Sequence, residues 1–155
     1  MCSSDRERAV NINSGSMNFA GVREVGVLFR REFDALGFET QWIDGASWDR
    51  AGHLAARRDG SGPRLLLIGH LDTVFEPSSP FQSFDREGDR AQGPGVVDMK
   101  GGDVVIEEGV GQPLLQHSKL EIGFGWSGND SQVPSVHTHP SAPGCGPSEG
   151  RRATR

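Results

Sequence analysis

The sequence predicts an α/β fold followed by a mostly irregular tail, and three observations support this prediction. A helical pattern near the amino terminus is followed by short strand-like segments and then by a second helix start, an order typical of α/β proteins. The most apolar run, residues 65–68, is short and lies between Pro63 and Gly69, which is typical of a buried strand. After residue 108, no apolar periodicity lasts longer than one turn, and glycine, proline and serine are frequent.

Composition and charge narrow the classes of protein to which the chain can belong. Its 155 residues suffice for one domain, but only 34% of them are apolar, so part of the chain is expected outside the core. The net charge of −5 disfavours nucleic acid and anionic membranes as partners. No apolar run approaches the ~20 residues that span a bilayer, and residues 1–7 lack the apolar segment of a signal peptide. We therefore expect a soluble, cytoplasmic protein.

The first element is an amphipathic helix. Its apolar side chains recur at spacings of three and four residues, with charged residues between them: Val22, Val25, Phe29, Phe33 and Leu36. Ser16 and Asn18 are both suitable residues for its amino-terminal cap, and Gly37 is suitable for its end. The pattern and its boundaries therefore agree.

Three strands are predicted next. Residues 38–43 alternate as a strand, and residues 53–58 form a second strand after turn-prone glycines. Residues 59–63 are predicted to form a turn into a central strand, residues 64–68. A strand of this kind delivers the residues that follow it to the edge where open α/β sheets bind their ligands.

A hairpin and a second helix complete the predicted elements. Residues 84–91 indicate a tight hairpin that turns at residues 87–89. Gly101 and Gly102 are expected to open a helix that runs through Glu107. Asp98 is left in the loop just before the positive end of that helix.

Two motifs carry the candidate chemistry, GHLDTV at residues 69–74 and GPGVVDMKGG at residues 93–102. Because residues i and i+2 of an extended backbone point to one side, the His70 imidazole and the Asp72 carboxylate can share a pocket. That geometry suits a metal ligand and the group that orients it. Taken alone, a histidine two residues from an aspartate is more often a hydrogen-bonded surface pair.

Together with VNINSGSMN at residues 10–18, the two motifs resemble the M20 zinc metallopeptidases, most of all their glutamate carboxypeptidase (carboxypeptidase G-like) branch. The resemblance covers about residues 10–108. It implies part of a three-layer α/β/α zinc-peptidase catalytic domain with a mixed sheet. It also implies a two-zinc site in which His70 binds one zinc and Asp98 bridges both, and it makes Asp72 the catalytic-site residue that orients His70 by a hydrogen bond.

Several parts of that family's site have no matching position here. Family members use an adjacent Glu-Glu pair as general base and ligand, a further carboxylate and a distant histidine. The Glu-Glu pair is expected near residues 125–135, where Asp130 is the only acid. Glu107 and Glu108 are better interpreted as a solvated helix face, and Lys100 as a solvated lysine rather than a contact to a substrate carboxylate. We also expect this chain to lack the dimerising lid domain of the family, so the oligomeric state is left open.

The resemblance divides the chain in two. Residues 10–108 are expected to form a partial M20-like catalytic domain, and residues 109–155 an irregular or disordered tail. Because the change is abrupt, we hypothesise a truncation or frameshift after about residue 108.

Two functions are consistent with these observations. By resemblance, the chain is a zinc-dependent metallopeptidase that hydrolyses an amide next to a carboxylate-bearing residue, with a small peptide or acyl-amino-acid substrate, inactive in this form because ligands and the general base are missing. The alternative is a non-catalytic remnant or a weak metal-binding module, since two protein ligands are fewer than the three or four that hold zinc well.

Overall fold

Three helices and six strands are present in residues 3–125, the part of the chain that this computed structural model describes. In chain order they are α1 (Ser3–Asn11), α2 (Phe19–Ala35), β1 (Glu39–Asp44), β2 (Gly52–Arg58), β3 (Arg64–His70), β4 (Asp85–Glu87), β5 (Arg90–Gln92), α3 (Lys100–Val110) and β6 (Lys119–Gly125). The predicted α/β class is confirmed.

Helix α2 forms for the reasons that its sequence indicates. The side chain of Asn18 accepts a hydrogen bond from the Gly21 backbone N–H at 3.3 Å, which satisfies one of the free donors of the first turn. Gly37 follows the helix with a φ of +78°, a left-handed conformation that glycine adopts at low cost. The predicted apolar face is buried, with Phe29 and Phe33 fully enclosed.

The four longer strands form one mixed sheet in the order β1-β2-β6-β3. Strand β2 pairs antiparallel with both β1 and β6, whereas β3 pairs parallel with β6. The hairpin β4–β5 forms a separate two-stranded sheet, and its turn at Gly88 and Asp89 lies where the sequence predicted it. The mixed sheet that the resemblance implied is therefore present.

The core lies between this sheet and the helices. Phe124 of β6 contacts Phe29 and Phe33 of α2, with ring centroids 5.3 Å and 5.5 Å apart. Leu120 and Ile122 are also buried, at 0% and 3% exposure. Since burying one large apolar side chain contributes roughly 1.5–3 kcal/mol, β6 is a principal source of stability.

The predicted boundary at residue 108 was wrong for residues 109–125. Helix α3 continues to Val110, and β6 lies between β2 and β3 in the sheet. The signal that could have found this strand is the alternation of Leu120, Ile122 and Phe124 with charged residues and glycines. Residues 126–155 lie outside the described residues, so the rest of the predicted tail stays a prediction.

Strand β3 was predicted to be a central strand, but among the described residues it is an edge strand. Leu66 and Ile68 are 61% and 67% exposed, whereas Leu65 and Leu67 pack against the core. A continuous apolar run predicts burial on both faces, but α2 and α3 contribute to one core, which includes Leu65 and Leu67 and lies on one face of the sheet. The described part thus contains two of the three predicted layers.

Helix α1 was not predicted. Its sequence, SSDRERAVN, is dominated by polar and charged residues and offers only Ala9 and Val10 as buried apolar side chains. That is too few for a recognisable helical period. Within residues 3–125, no helix is long and apolar enough to cross a membrane.

Candidate metal centre

His70 is the last residue of β3, at the edge of the sheet where the chain leaves for the following loop. Its ring nitrogen Nδ1 lies 3.0 Å from the backbone oxygen of Asp72 and 3.3 Å from the Asp72 carboxylate oxygen Oδ1. The Asp72 side chain is 1% exposed, so it contacts the ring from inside the protein. The structure thus brings together the two residues that the alternation predicted.

Asp98 reaches the same imidazole from the loop that precedes α3. Its Oδ1 lies 3.0 Å from the other ring nitrogen of His70, Nε2, and its side chain is 84% exposed. The Asp98–Met99 peptide bond is cis. Gly95 in the same loop has a φ of +82°, and a Cβ there would lie 2.8 Å from the Lys100 side chain. Only glycine fits this turn without strain.

A short linker between α1 and α2 holds Asp72 in place. The Ser16 hydroxyl donates to Asp72 Oδ2 at 2.5 Å, and the Ser16 backbone N–H donates to the Thr73 oxygen at 3.0 Å. The Thr73 N–H donates in turn to the oxygen of Ser14 at 2.8 Å. Sequence reasoning considered Ser16 only as a helix cap. Its proximity to Asp72 depends on long-range pairing that the local sequence does not reveal.

The two carboxylates favour the charged form of the imidazole. The pKa of His70 is raised to about 9, first because its ring hydrogen-bonds the Asp72 carboxylate and also because of the bond to Asp98, with burial opposing both. Each ring nitrogen faces an oxygen acceptor, so both N–H groups are satisfied in the imidazolium. A metal ion at Nε2 would have to replace one proton.

A buried acid, Asp103, packs against Gly69, the residue that precedes His70. Asp103 of α3 is 0% exposed, and neither of its carboxylate oxygens has a hydrogen-bond partner among the described residues. Burial raises its pKa to about 8. Oδ1 packs against Gly69, where a Cβ would lie 2.1 Å away, so only glycine at residue 69 leaves room for this carboxyl group.

Two further charged residues of α3 are buried, contrary to the sequence expectation. Lys100, predicted to be solvated, is 0% exposed, and its Nζ donates to the backbone oxygen of Ile12 at 2.8 Å. Burial lowers the pKa of Lys100 to about 8. Glu107, predicted to lie on a solvated helix face, is 3% exposed. These predictions failed because α3 packs against β3 and α1, and packing overrides the usual exposure of charged residues.

The ligand set within residues 3–125 is small. No group of three or more histidine, cysteine, aspartate or glutamate side chains there is placed to hold a metal ion. His70 and Asp98 offer one imidazole nitrogen and one carboxylate. The Glu-Glu pair expected near residues 125–135 falls almost wholly outside the described residues.

A cavity of about 390 Å³ lies beside His70 and Asp98. Its walls come from the loop after β3, the β4–β5 hairpin and the loop before α3. Most of the side chains that line it are apolar: Val74, Phe75, Phe81, Ala91, Val96 and Val97. A concave site of this size beside polar groups is typical of a small-molecule pocket.

The sequence is similar to known proteins, among them a carboxypeptidase. Carboxypeptidase G2 from Pseudomonas sp. (strain RS-16) is 34% identical to the chain over 105 residues, which are 64% of this chain and 25% of that protein. The chain therefore spans about a quarter of the length of this relative. No protein-family model matches the chain.

Solved structures share the fold. Aminopeptidase PepT from Bacillus cereus ATCC 10987 aligns with a TM-score of 0.61 at 17% identity, over 78% of this chain and 34% of that chain. Human carnosine dipeptidase 1 aligns with a TM-score of 0.63 at 15% identity, over 77% and 30%. The dipeptidase Dug1p from Saccharomyces cerevisiae gives 0.60 at 17% identity, over 79% and 31%.

All four of these proteins are M20 family peptidases. Carboxypeptidase G2 matches the chain in sequence, and the three solved structures match it in fold. The resemblance that the two motifs indicated is thereby confirmed. The chain is a relative of the M20 family peptidases and spans only part of their length.

Proposed function

We propose that this chain carries the His70–Asp98 half of the zinc site of an M20-type peptidase that hydrolyses an amide next to a carboxylate-bearing residue. The observation that carries the proposal is the position of His70, whose imidazole lies between Asp72 on one side and Asp98 on the other. The similarity to carboxypeptidase G2 supports it.

The donor chemistry fits zinc. Neutral imidazole nitrogen and carboxylate oxygen are both good zinc ligands, and Nε2 of His70 faces Oδ1 of Asp98 at 3.0 Å. The second carboxylate oxygen of Asp98 leaves capacity for a second zinc. When bound, zinc supplies Lewis acidity, which polarises an amide carbonyl and makes water a stronger nucleophile at neutral pH.

Asp72 serves as the positioning residue of this site. The Nδ1 N–H of His70 donates to oxygens of Asp72, which directs the lone pair of the neutral ring to Nε2. Ser16 in turn fixes the Asp72 carboxylate. This chain of contacts orients the ring before any ligand binds, which lowers the entropic cost of binding.

Residues 3–125 alone are proposed to bind zinc weakly and to lack hydrolytic activity. Two ligands fall short of the three or four that hold zinc tightly, and within those residues no group of three or more histidine, cysteine, aspartate or glutamate side chains is placed to hold a metal ion. For this reason the second candidate function is a weak metal-binding module without catalysis.

Zinc binding by the purified chain tests the proposal. Equilibrium dialysis against zinc should show one weak site that is lost in both His70→Ala and Asp98→Ala. His117→Ala removes an exposed histidine and is the matched control, which should bind like the parent. Zinc bound equally by the parent and His70→Ala would refute the proposal. Turnover of an N-acyl amino acid that depends on zinc and on His70 would instead favour the enzyme over the non-catalytic module.

A further inference from the structure

We infer that the free edge of β3 is a self-association surface, at which a second copy of this chain adds antiparallel across a two-fold axis and joins two four-stranded sheets into one. This role goes beyond the proposed function and depends neither on zinc nor on turnover. Three features of β3 carry it: the direction of its backbone groups, its exposed apolar side chains and the charges at its two ends.

The outer edge of β3 presents backbone groups that no strand satisfies. On the inner edge, the Leu71 N–H donates to the oxygen of Gly125 at 3.1 Å. At the other end, the Lys119 N–H donates to the oxygen of Pro63 at 3.0 Å. Since successive residues of a strand direct their N–H and C=O groups alternately to its two edges, the odd-numbered residues face β6. Four residues direct these groups to the other edge, with which no strand of residues 3–125 pairs: Arg64, Leu66, Ile68 and His70.

These four residues suit antiparallel pairing with the same four residues of a second copy. Residues that exchange hydrogen bonds in an antiparallel pair lie opposite each other. A two-fold axis at Leu67 places Leu66 opposite Ile68, and it places Arg64 opposite His70. All four residues of each strand then exchange bonds. An axis at Leu66 or Ile68 instead leaves one end residue without an opposite residue in β3, so the register about Leu67 satisfies the most backbone groups.

Apolar burial favours the same arrangement. Leu66 and Ile68 are mainly exposed, on the face of the sheet that points away from the core. In this register each Leu66 lies beside an Ile68 of the other copy, so four apolar side chains lose contact with water. The other edge strand, β1, is less suitable. It has acids at both ends, and antiparallel pairing of two β1 strands would place Glu39 opposite Asp44.

The charges at the two ends of β3 are complementary in this register. The Arg64 side chain is 59% exposed at the start of the strand, and it pairs with Glu121 of β6 at 3.0 Å. His70, at the end of the strand, contacts the carboxylates of Asp72 and Asp98. Because Arg64 lies opposite His70, the guanidinium of each copy comes close to the exposed Asp98 of the other. Opposite charges therefore meet at both ends, which favours this register over others.

Sedimentation velocity of the full chain tests the inference, in EDTA so that metal ions bridge no dimers. A monomer–dimer equilibrium should appear as the concentration rises from about 1 µM to about 300 µM. Leu66→Lys and Ile68→Lys place a charge at the paired edge, and each should raise the dissociation constant at least about tenfold. Val105→Lys introduces the same charge on α3, at a side chain that is 68% exposed, and should leave the equilibrium unchanged. Circular dichroism checks that all three variants remain folded.

Disulfide formation tests the register. In a background with Cys2→Ser and Cys145→Ser, Leu67→Cys places the two thiols at the two-fold axis, where opposite Cα atoms lie about 4.5 Å apart. A covalent dimer should therefore form with oxidised glutathione. Leu65→Cys is the matched control, because both leucines pack against the core. Its two thiols would be four residues apart along the strands, about 13 Å, so no covalent dimer should form.

Dimers that both lysine substitutions weaken and that only Leu67→Cys traps would support the inference. A chain that stays monomeric over the whole concentration range would overturn it. Dimers that persist unchanged in both lysine variants would place the contact on another surface and would overturn it too, as would equal cross-linking of the two cysteine variants. Since every sample contains EDTA, none of these results bears on the proposed zinc site.

Discussion

Nε2 of His70 and Oδ1 of Asp98 lie 3.0 Å apart although the residues are 28 positions apart in the chain. The contact joins the end of β3 to the loop before α3. Both atoms are of the kinds that bind zinc, and the raised pKa of His70 favours a proton on Nε2. Proton and zinc therefore compete for one place, and this competition has measurable consequences.

Zinc affinity should rise with pH. The pKa of His70 is raised to about 9 by Asp72 and Asp98, so below that pH zinc must displace a proton from the ring. Each unit of pH below about 9 should weaken apparent zinc binding by up to about tenfold. Titrations at about pH 6, 7 and 8 in a buffer that does not bind zinc measure this dependence. An affinity that does not change across this range would contradict the account of His70.

Asp103→Asn should stabilise the protein at alkaline pH. The pKa of Asp103 is raised from 3.8 to about 8 by burial, so the unfolded chain loses this proton at lower pH than the folded chain. Stability is then lost as pH rises from about 4 to about 8. Asparagine never ionises, so the variant should gain roughly 1–3 kcal/mol near pH 8 and little near pH 4.

Urea unfolding at the two pH values measures the gain of Asp103→Asn. Asp89→Asn, at an exposed turn residue, is the control and should change stability by less than about 0.5 kcal/mol at either pH. A loss of stability near pH 8, or a gain of the same size at both pH values, would show that ionisation of the buried Asp103 carboxyl group does not destabilise the folded protein.

Two helical glycines should respond oppositely to alanine. A Cβ on Gly26 of α2 would lie 2.4 Å from the ring of Trp42, so Gly26→Ala should destabilise by about 1–2 kcal/mol. Gly109 of α3 has nothing within 4 Å of its Cβ position, so Gly109→Ala should stabilise by about 0.5–1 kcal/mol. Thermal melts of both variants test the packing of α2 on β1. A melting temperature of Gly26→Ala at or above that of the parent protein would contradict this packing of α2 on β1.

Arg58 should be far more important for stability than its neighbour Arg57. The Arg58 guanidinium donates to the backbone oxygens of Val110 and Leu115, both at 3.1 Å, and it lies over the ring of Phe38 at 4.6 Å. Arg58→Met leaves the carbonyl groups of Val110, at the end of α3, and of Leu115 without this donor and should cost about 2 kcal/mol.

The exposed Arg57 forms a surface ion pair with Asp59, so Arg57→Met should cost less than about 1 kcal/mol. The difference in the free energy of unfolding between Arg58→Met and Arg57→Met, measured with urea, tests whether the hydrogen bonds of Arg58 hold residues 109–115 against the rest of the fold. Equal losses of stability in the two variants would contradict this role of Arg58.

Much of the fold was predictable wherever the sequence signal is local. The three- and four-residue spacing of apolar side chains predicted α2, and Asn18, one of two candidate caps, is the cap that forms. The strand before His70 and the loop that carries Asp98 were also predicted, because alternation and glycine-rich turns are local features. These local elements sufficed to bring His70 and Asp72 forward as site residues, whereas Asp98 was predicted from the family resemblance.

The features that the sequence did not reveal depend on long-range packing. Strand β6 alternates Leu120, Ile122 and Phe124 with charged residues and glycines, a local signal that sequence reasoning missed, but its place between β2 and β3 depends on long-range pairing. Lys100 and Glu107 are charged residues that a local pattern assigns to solvent, yet α3 buries both. Ser16 contacts Asp72 across 56 positions, a distance that no periodicity spans.

The most direct test of the central claim observes the ring nitrogens of His70 during a zinc titration. Long-range ¹⁵N–¹H NMR resolves Nδ1 and Nε2 of each histidine, and His70→Ala identifies the signals of His70. The account predicts that zinc shifts Nε2 of His70 while Nδ1 keeps its proton, held by Asp72. Zinc-dependent shifts confined to other histidines, with both nitrogens of His70 unchanged, would contradict it.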